Sequence, residues 1–173
     1  MKLEQRAVLE LRAKGRKLEG YAAKFNTEAR IANFVEVIAP GAFAASLQSG
    51  QDVIAMVDHD ASKVLARTRS GSLKLAEDSA GLAFELSIPD TQPGRDALAL
   101  AERGDLGGMS FGFVVPQGGE AWDGNRRTLN VIDLREISVV SAWPAYEGTS
   151  VNARAHAPLL ALARRYLETC KWA

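Results

Sequence analysis

The sequence predicts a β-rich α+β fold, an antiparallel β-barrel with a few surrounding helices. Three observations carry that prediction. Short segments whose apolar residues repeat with a period of two outnumber helical stretches. Most of them follow one another directly across turn residues, with no helix between, as antiparallel strands do. The chain has 173 residues, enough for one well-filled core and too few for two large lobes.

In chain order, Leu9 and Leu11 alternate with charged residues, and after Gly15-Arg16-Lys17 the segment Leu18 to Ala23 reads as a return strand. Val53 to Val57 is a continuous apolar run of strand length, the pattern of a strand buried on both faces. Leu73 and Leu75 alternate with polar neighbours, and beyond the turn at Ser79-Ala80-Gly81 the residues Leu82, Phe84, Leu86 and Ile88 repeat the period. These two segments predict an antiparallel hairpin. Met109, Phe111, Phe113 and Val115 form another alternation, and past Asp123-Gly124-Asn125 the stretch Thr128 to Val140 reads as one long strand or a bent pair. Three helices are predicted: a short one over 40–47 ended by Gly50, one over 93–103 with Pro93 at its start and Gly104 after its end, and one over 157–170. The last has a broad apolar stripe that includes Leu159, Leu160, Leu162, Ala163, Tyr166 and Leu167. Residues 1–155 are therefore assigned to the barrel domain and 156–173 to a C-terminal helix that caps the barrel or makes a dimer contact.

Composition narrows the function. Lys and Arg total 21 and Asp and Glu total 21, so the net charge is zero and no basic field draws the chain to nucleic acid or an anionic membrane. No run of 18 apolar residues occurs, and Met1 to Arg6 lacks the apolar stretch of a signal peptide. A single cysteine, Cys170, excludes an internal disulfide and a Cys-rich zinc site, and suits a reducing compartment. With two histidines, any imidazole chemistry rests on His59 or His156. Cys170 stands beside Lys171 near the chain end, a poor place for a rigid nucleophile with His156.

Three places could carry chemistry. His59 follows the apolar run and lies between Asp58 and Asp60; it is either a surface histidine at a strand end or a general base held at a barrel rim. Gly108-x-Ser110-x-Gly112 has the spacing of a nucleophile elbow. The elbow needs a helix after the serine, yet Phe111 to Val115 alternates like a strand. The elbow reading fails, and the set Ser110, Asp133 and His156 fails with it. The glycines still strip side chains from around Ser110, and the backbone N–H groups of Gly107 and Gly108 are candidate donors to an oxyanion. The bland alternative is a glycine-rich turn between helix and strand. The third place is Glu136. A period of two puts Ile132, Leu134, Glu136 and Val140 on one face, where a carboxylate is costly unless paired. Glu136 is then a buried acceptor that orients His59, or else the face is partly solvated, or a bulge turns the residue outward.

Together the residues supply a nucleophile, a base and an orienting acid. The chain resembles the prohead serine proteases of tailed bacteriophages, whose fold is similar to herpesvirus assemblin. The resemblance runs from about Leu18 to Val151. It rests on the order and spacing of Leu18-Glu19-Gly20-Tyr21-Ala22, Phe34-x-Glu36-x-Ile38-x-Pro40-Gly41-Ala42-Phe43, Asp58-His59-Asp60, Leu65-Ala66-Arg67-Thr68 and Glu77-Asp78-x-x-Gly81-Leu82. Further along come Met109-Ser110-Phe111-Gly112-Phe113 and Leu134-x-Glu136-Ile137-Ser138-Val139-Val140, leading to Pro144-Ala145-Tyr146.

The resemblance implies Ser110 as nucleophile and His59 as base. Assemblins use a second histidine as third member, but His156 lies outside the matched strand pattern, so Glu136 is the candidate for that role. It also implies an endopeptidase that cuts the major capsid protein, its scaffold-like segments and itself. The work would be done inside the immature capsid in the host cytoplasm, for a phage, a prophage or a gene transfer agent. The acyl-transfer mechanism needs no metal or organic cofactor, and no nucleic-acid or membrane contact is expected. A homodimer is consistent with assemblin-like enzymes. The competing expectation is a non-catalytic barrel that binds scaffold during capsid assembly.

Overall fold

The computed structural model describes residues 3–8, 11–14 and 16–141. Its strands are β1 (Glu4–Val8), β2 (Leu11–Lys14), β3 (Lys17–Lys24), β4 (Ala29–Ile31), β5 (Phe34–Ile38), β6 (Ile54–Val57), β7 (Asp60–Arg67), β8 (Leu73–Glu77) and β9 (Gly81–Ser87). Then come β10 (Gly108–Val114), β11 (Glu120–Asp123), β12 (Arg126–Leu129) and β13 (Asp133–Val140), and the helices are α1 (Ala44–Gln48) and α2 (Gln92–Arg103). The β-rich α+β expectation holds. His156, Cys170, the helix expected over 157–170 and the domain boundary at 155/156 fall outside the described residues.

The strands form three sheets, where the sequence suggested one closed or nearly closed antiparallel barrel. The first has the order β1-β10-β13-β6-β7, the second β11-β12-β5-β4 and the third β2-β3-β9-β8. Two pairings, β13 with β6 and β12 with β5, are parallel, so the fold is mixed. The hairpin predicted over 73–88 is present as β8 and β9, in register from Leu73↔Leu86 to Glu77↔Leu82. The stretch 128–140 is a pair, and its two strands join different sheets. Helix α2 lies where Pro93 and Gly104 place it: the Thr91 side chain accepts the Gly94 N–H, and Gly104 closes the C-terminus with a left-handed φ of 74°.

The core joins the sheets through side chains the period of two selects. Met109, Phe111 and Phe113 from β10 are essentially sealed, as are Ile137, Val139 and Leu134 from β13. An aromatic chain crosses it, with ring centroids 6.2 Å apart for Phe25–Phe43, 5.8 Å for Phe43–Phe111 and 5.2 Å for Phe111–Phe113. Helix α1 presses on β13, where the Ser46 hydroxyl accepts the Leu134 N–H at 2.9 Å.

A buried ionic network fastens β1 to the second sheet. Arg6 grips Glu36 with two bonds of 2.5 and 2.8 Å. Arg127 bonds Glu4 at 2.6 and 2.8 Å, Glu36 at 2.9 Å and Glu120 at 2.5 Å. Glu36 and Arg127 are buried, yet each is met by opposite charge, the condition under which buried ions are tolerated. Burial alone would lower the Arg127 pKa, but Glu4, Glu120 and Glu36 hold it well above the ordinary arginine value.

Candidate active site

The site is built on one face of the first sheet. Residues directly opposite in an antiparallel ladder lie on the same face, and so do residues two apart along a strand. Ser110 on β10 is opposite Ser138 on β13, and Gly112 is opposite Glu136. These four residues therefore share a face, and Met109, Phe111, Ile137 and Val139 occupy the other. A bulge makes this possible. The register steps from Gly112↔Glu136 to Phe113↔Leu134, so Arg135 is the extra residue. Period-two reading puts Leu134 and Glu136 together. The bulge instead sends Leu134 into the core and leaves Glu136 beside Ser138, and this corrects the face expected from the sequence.

His59 comes from the two-residue turn between β6 and β7, whose flanking residues Val57 and Asp60 are paired. Asp58 and His59 have φ of 50° and 59°, as in a type I′ turn. Asn-Gly is the favoured pair in such a turn, and a non-glycine residue in this region costs about 1–3 kcal/mol. The strain is held by the end of β13. The Asp58 N–H donates to the Val139 carbonyl at 2.9 Å. The Asp58 carboxylate accepts the Ser141 N–H and hydroxyl, both at 2.8 Å. The His59 N–H donates to the Ser138 hydroxyl at 3.2 Å.

So held, the imidazole reaches across β13. His59 Nδ1 and Glu136 Oε1 are 2.6 Å apart. An ionised carboxylate only accepts hydrogen bonds, so with Glu136 ionised Nδ1 carries the proton and Nε2 is the nitrogen left to take one from a nucleophile. The His59 side chain is 23% exposed, which leaves room for a reactant, whereas Glu136 is buried. Glu136 Oε2 accepts the Ser138 hydroxyl at 2.7 Å, and Gln5 makes a longer contact to Oε1 at 3.4 Å. Short charge-assisted bonds to both oxygens fix the carboxylate. Gly112 makes room for it: a Cβ there would lie 2.3 Å from Glu136 Oε1.

Ser110 is 3% exposed. Among the described residues, no side chain hydrogen-bonds its hydroxyl, and no sealed side-chain N or O atom lacks a partner. His59 and Glu136 are thus joined directly, and Ser110 stands on the adjoining strand of the same face without a bond to His59. Of the two glycines considered as oxyanion donors, Gly107 already gives its N–H to the Val140 carbonyl at 2.8 Å, and Gly108 lies in the ladder opposite Val140. The sequence reading assigned no role to Ser138, Asp58 or Ser141. The serine two positions after Glu136 was the available signal for the first.

Among the described residues no group of three or more His, Cys, Asp and Glu could hold a metal ion, and no helix is long and apolar enough to cross a membrane. Searches of the curated proteins and of the solved structures return no significant match. The family model for the caudovirus prohead serine protease matches residues 2–160. That match covers nearly the whole chain, both strands of the proposed site and the histidine turn, and on it the chain belongs to the prohead serine proteases of tailed bacteriophages.

Proposed function

We propose that this serine peptidase cuts with Ser110 as nucleophile, His59 as base and Glu136 as the acid that orients His59. The observation that carries the proposal is the 2.6 Å contact between His59 Nδ1 and Glu136 Oε1, made on the face that also bears Ser110. In the cycle, the Ser110 oxygen attacks the scissile carbonyl carbon while His59 Nε2 takes its proton. His59 returns that proton to the leaving amine, and water then releases the acyl group by the same route. Glu136 keeps the imidazole in the tautomer that makes Nε2 basic. A positioned base contributes about 10²–10⁴-fold to such a step.

The substrates in this reading are the major capsid protein and its scaffold segments, with self-cleavage as a further reaction, inside the procapsid in the host cytoplasm. Family membership supports capsid maturation as the setting; a homodimer, an assemblin-like barrel and a prophage or gene transfer agent origin are parts of the proposal.

A fluorophosphonate probe tests the site. The unaltered protein should be labelled at Ser110, and Ser110→Ala should abolish the label while the protein stays folded. Label on another serine, or none on the folded protein, refutes the assignment. In assembling particles, Ser110→Ala should leave the capsid protein uncut.

A further inference from the structure

Three hydrogen bonds at the site close on themselves. With Glu136 ionised, His59 Nδ1 donates to Glu136 Oε1 at 2.6 Å, Glu136 Oε2 accepts the Ser138 hydroxyl at 2.7 Å, and the Ser138 oxygen accepts the His59 backbone N–H at 3.2 Å. We propose that Ser138 is a positioning residue which closes this ring and so holds the His59 main chain and the Glu136 carboxylate in one fixed relation. The inference rests on the catalytic reading of His59 and Glu136, but the ring itself does not depend on it.

The geometry separates Ser138 from the nucleophile. Its hydroxyl proton is committed to Glu136 and its oxygen to the His59 N–H, and the residue is fully buried. These two bonds run to the Glu136 oxygen that the imidazole does not hold and to the His59 main chain, and neither is to a ring nitrogen. The function left to it is mechanical. In a type I′ hairpin turn the second central N–H has no partner in the ladder, and the two positive φ values at Asp58 and His59 make the turn strained. Ser138 supplies that missing acceptor. It also removes the freedom of Glu136 to rotate away, because each carboxylate oxygen has its own short donor. Its placement on the strand gives this double reach. Ser138 is two residues beyond Glu136 on the same face, and its parallel partner Met56 lies three residues before His59.

Two histidines make the test direct, because replacing His156 assigns the remaining imidazole signals to His59. In the unaltered protein, nuclear magnetic resonance should show a far-downfield Nδ1 proton for His59 and slow exchange of its amide proton. In Ser138→Ala the downfield proton should broaden away or shift, and fluorophosphonate labelling of Ser110 should slow about 10- to 100-fold, the range for losing a buried hydrogen bond to a charged group. Thr68→Val is the control. It removes a hydroxyl that accepts the Val53 N–H at 2.8 Å, away from the His59 turn, and should leave both readouts unchanged.

An unchanged Nδ1 signal in Ser138→Ala overturns the proposal, and so does equal slowing in Thr68→Val. If Ser138→Ala does not fold, the amide of the unaltered protein decides: slow exchange of the His59 N–H supports the ring, and exchange at the open-chain rate overturns it. A His59 signal that depends on Ser138 in a protein never labelled at Ser110 would leave the ring standing and remove the catalytic reading instead.

Discussion

At the scale of single residues, the tightest requirement falls on Gly112. The Glu136 carboxylate occupies the volume of a side chain at that position, and His59, Ser138 and Gln5 hold it there. Gly112→Ala should therefore displace the carboxylate and cost both activity and stability. The expected result is about 10²-fold slower phosphonylation of Ser110, because misplacement by about 1 Å is enough for such a loss, together with a lowered melting temperature as the buried carboxylate loses its short hydrogen bonds. The sequence pointed to Gly112 for a neighbouring reason, the removal of side chains around Ser110. It could not show that the space is filled by a residue 24 positions later, since that depends on how β10 and β13 pair. Ser110, His59 and Glu136 stand out as candidates in the sequence because each is an odd residue in its setting: a serine among glycines, a lone histidine after an apolar run, a carboxylate in an apolar strand. Ser138 and Ser141 are ordinary residues in sequence and acquire meaning only through their hydrogen bonds.

At the scale of elements, the turn between β6 and β7 carries strain that β13 holds. Asp58→Ala removes the carboxylate bound to the Ser141 N–H and hydroxyl, and a left-handed φ remains for alanine to adopt. A loss of about 1–3 kcal/mol is expected, measured by denaturant unfolding. Asp58→Gly should recover part of it by relieving the φ. Period-two alternation found the β8–β9 hairpin and β10, where one face is apolar throughout. It failed at Arg135, because a bulge is a count of residues between two pairing partners and not a property of either strand. It also passed over β5, β7 and β11. In β5 the buried Glu36 breaks the apolar pattern, and only the arginines that neutralise it make its burial possible. Most of β7 is exposed, so it shows no apolar period.

At the scale of the whole molecule, the join between β1 and the second sheet is ionic and so depends on pH. Burial raises the Glu4 pKa, but hydrogen bonds and charge from Arg127, with those of Arg6, outweigh it and hold the carboxyl below the ordinary glutamate value. A carboxyl depressed in the folded state stabilises the protein above its unfolded pKa, and that contribution is lost as pH falls through the folded value. Denaturant unfolding should therefore show stability declining below about pH 4.5. Glu4→Gln should be less stable than the unaltered protein at pH 7 and should respond less to acid.

The position of β10 inside its sheet has a consequence for how a polypeptide could be presented to Ser110. From Met109 to Phe113 the strand is paired with β1 on one side and β13 on the other, so this stretch has no free edge. A substrate cannot lengthen the sheet there by adding itself as a further strand. In the proposed arrangement it must approach the face that bears Ser110, and what it meets first is side chains and not a row of backbone donors and acceptors. Selection among cut sites then depends on the shape of that face and on local looseness of the target chain. A segment already locked in its own sheet would be spared until it frays.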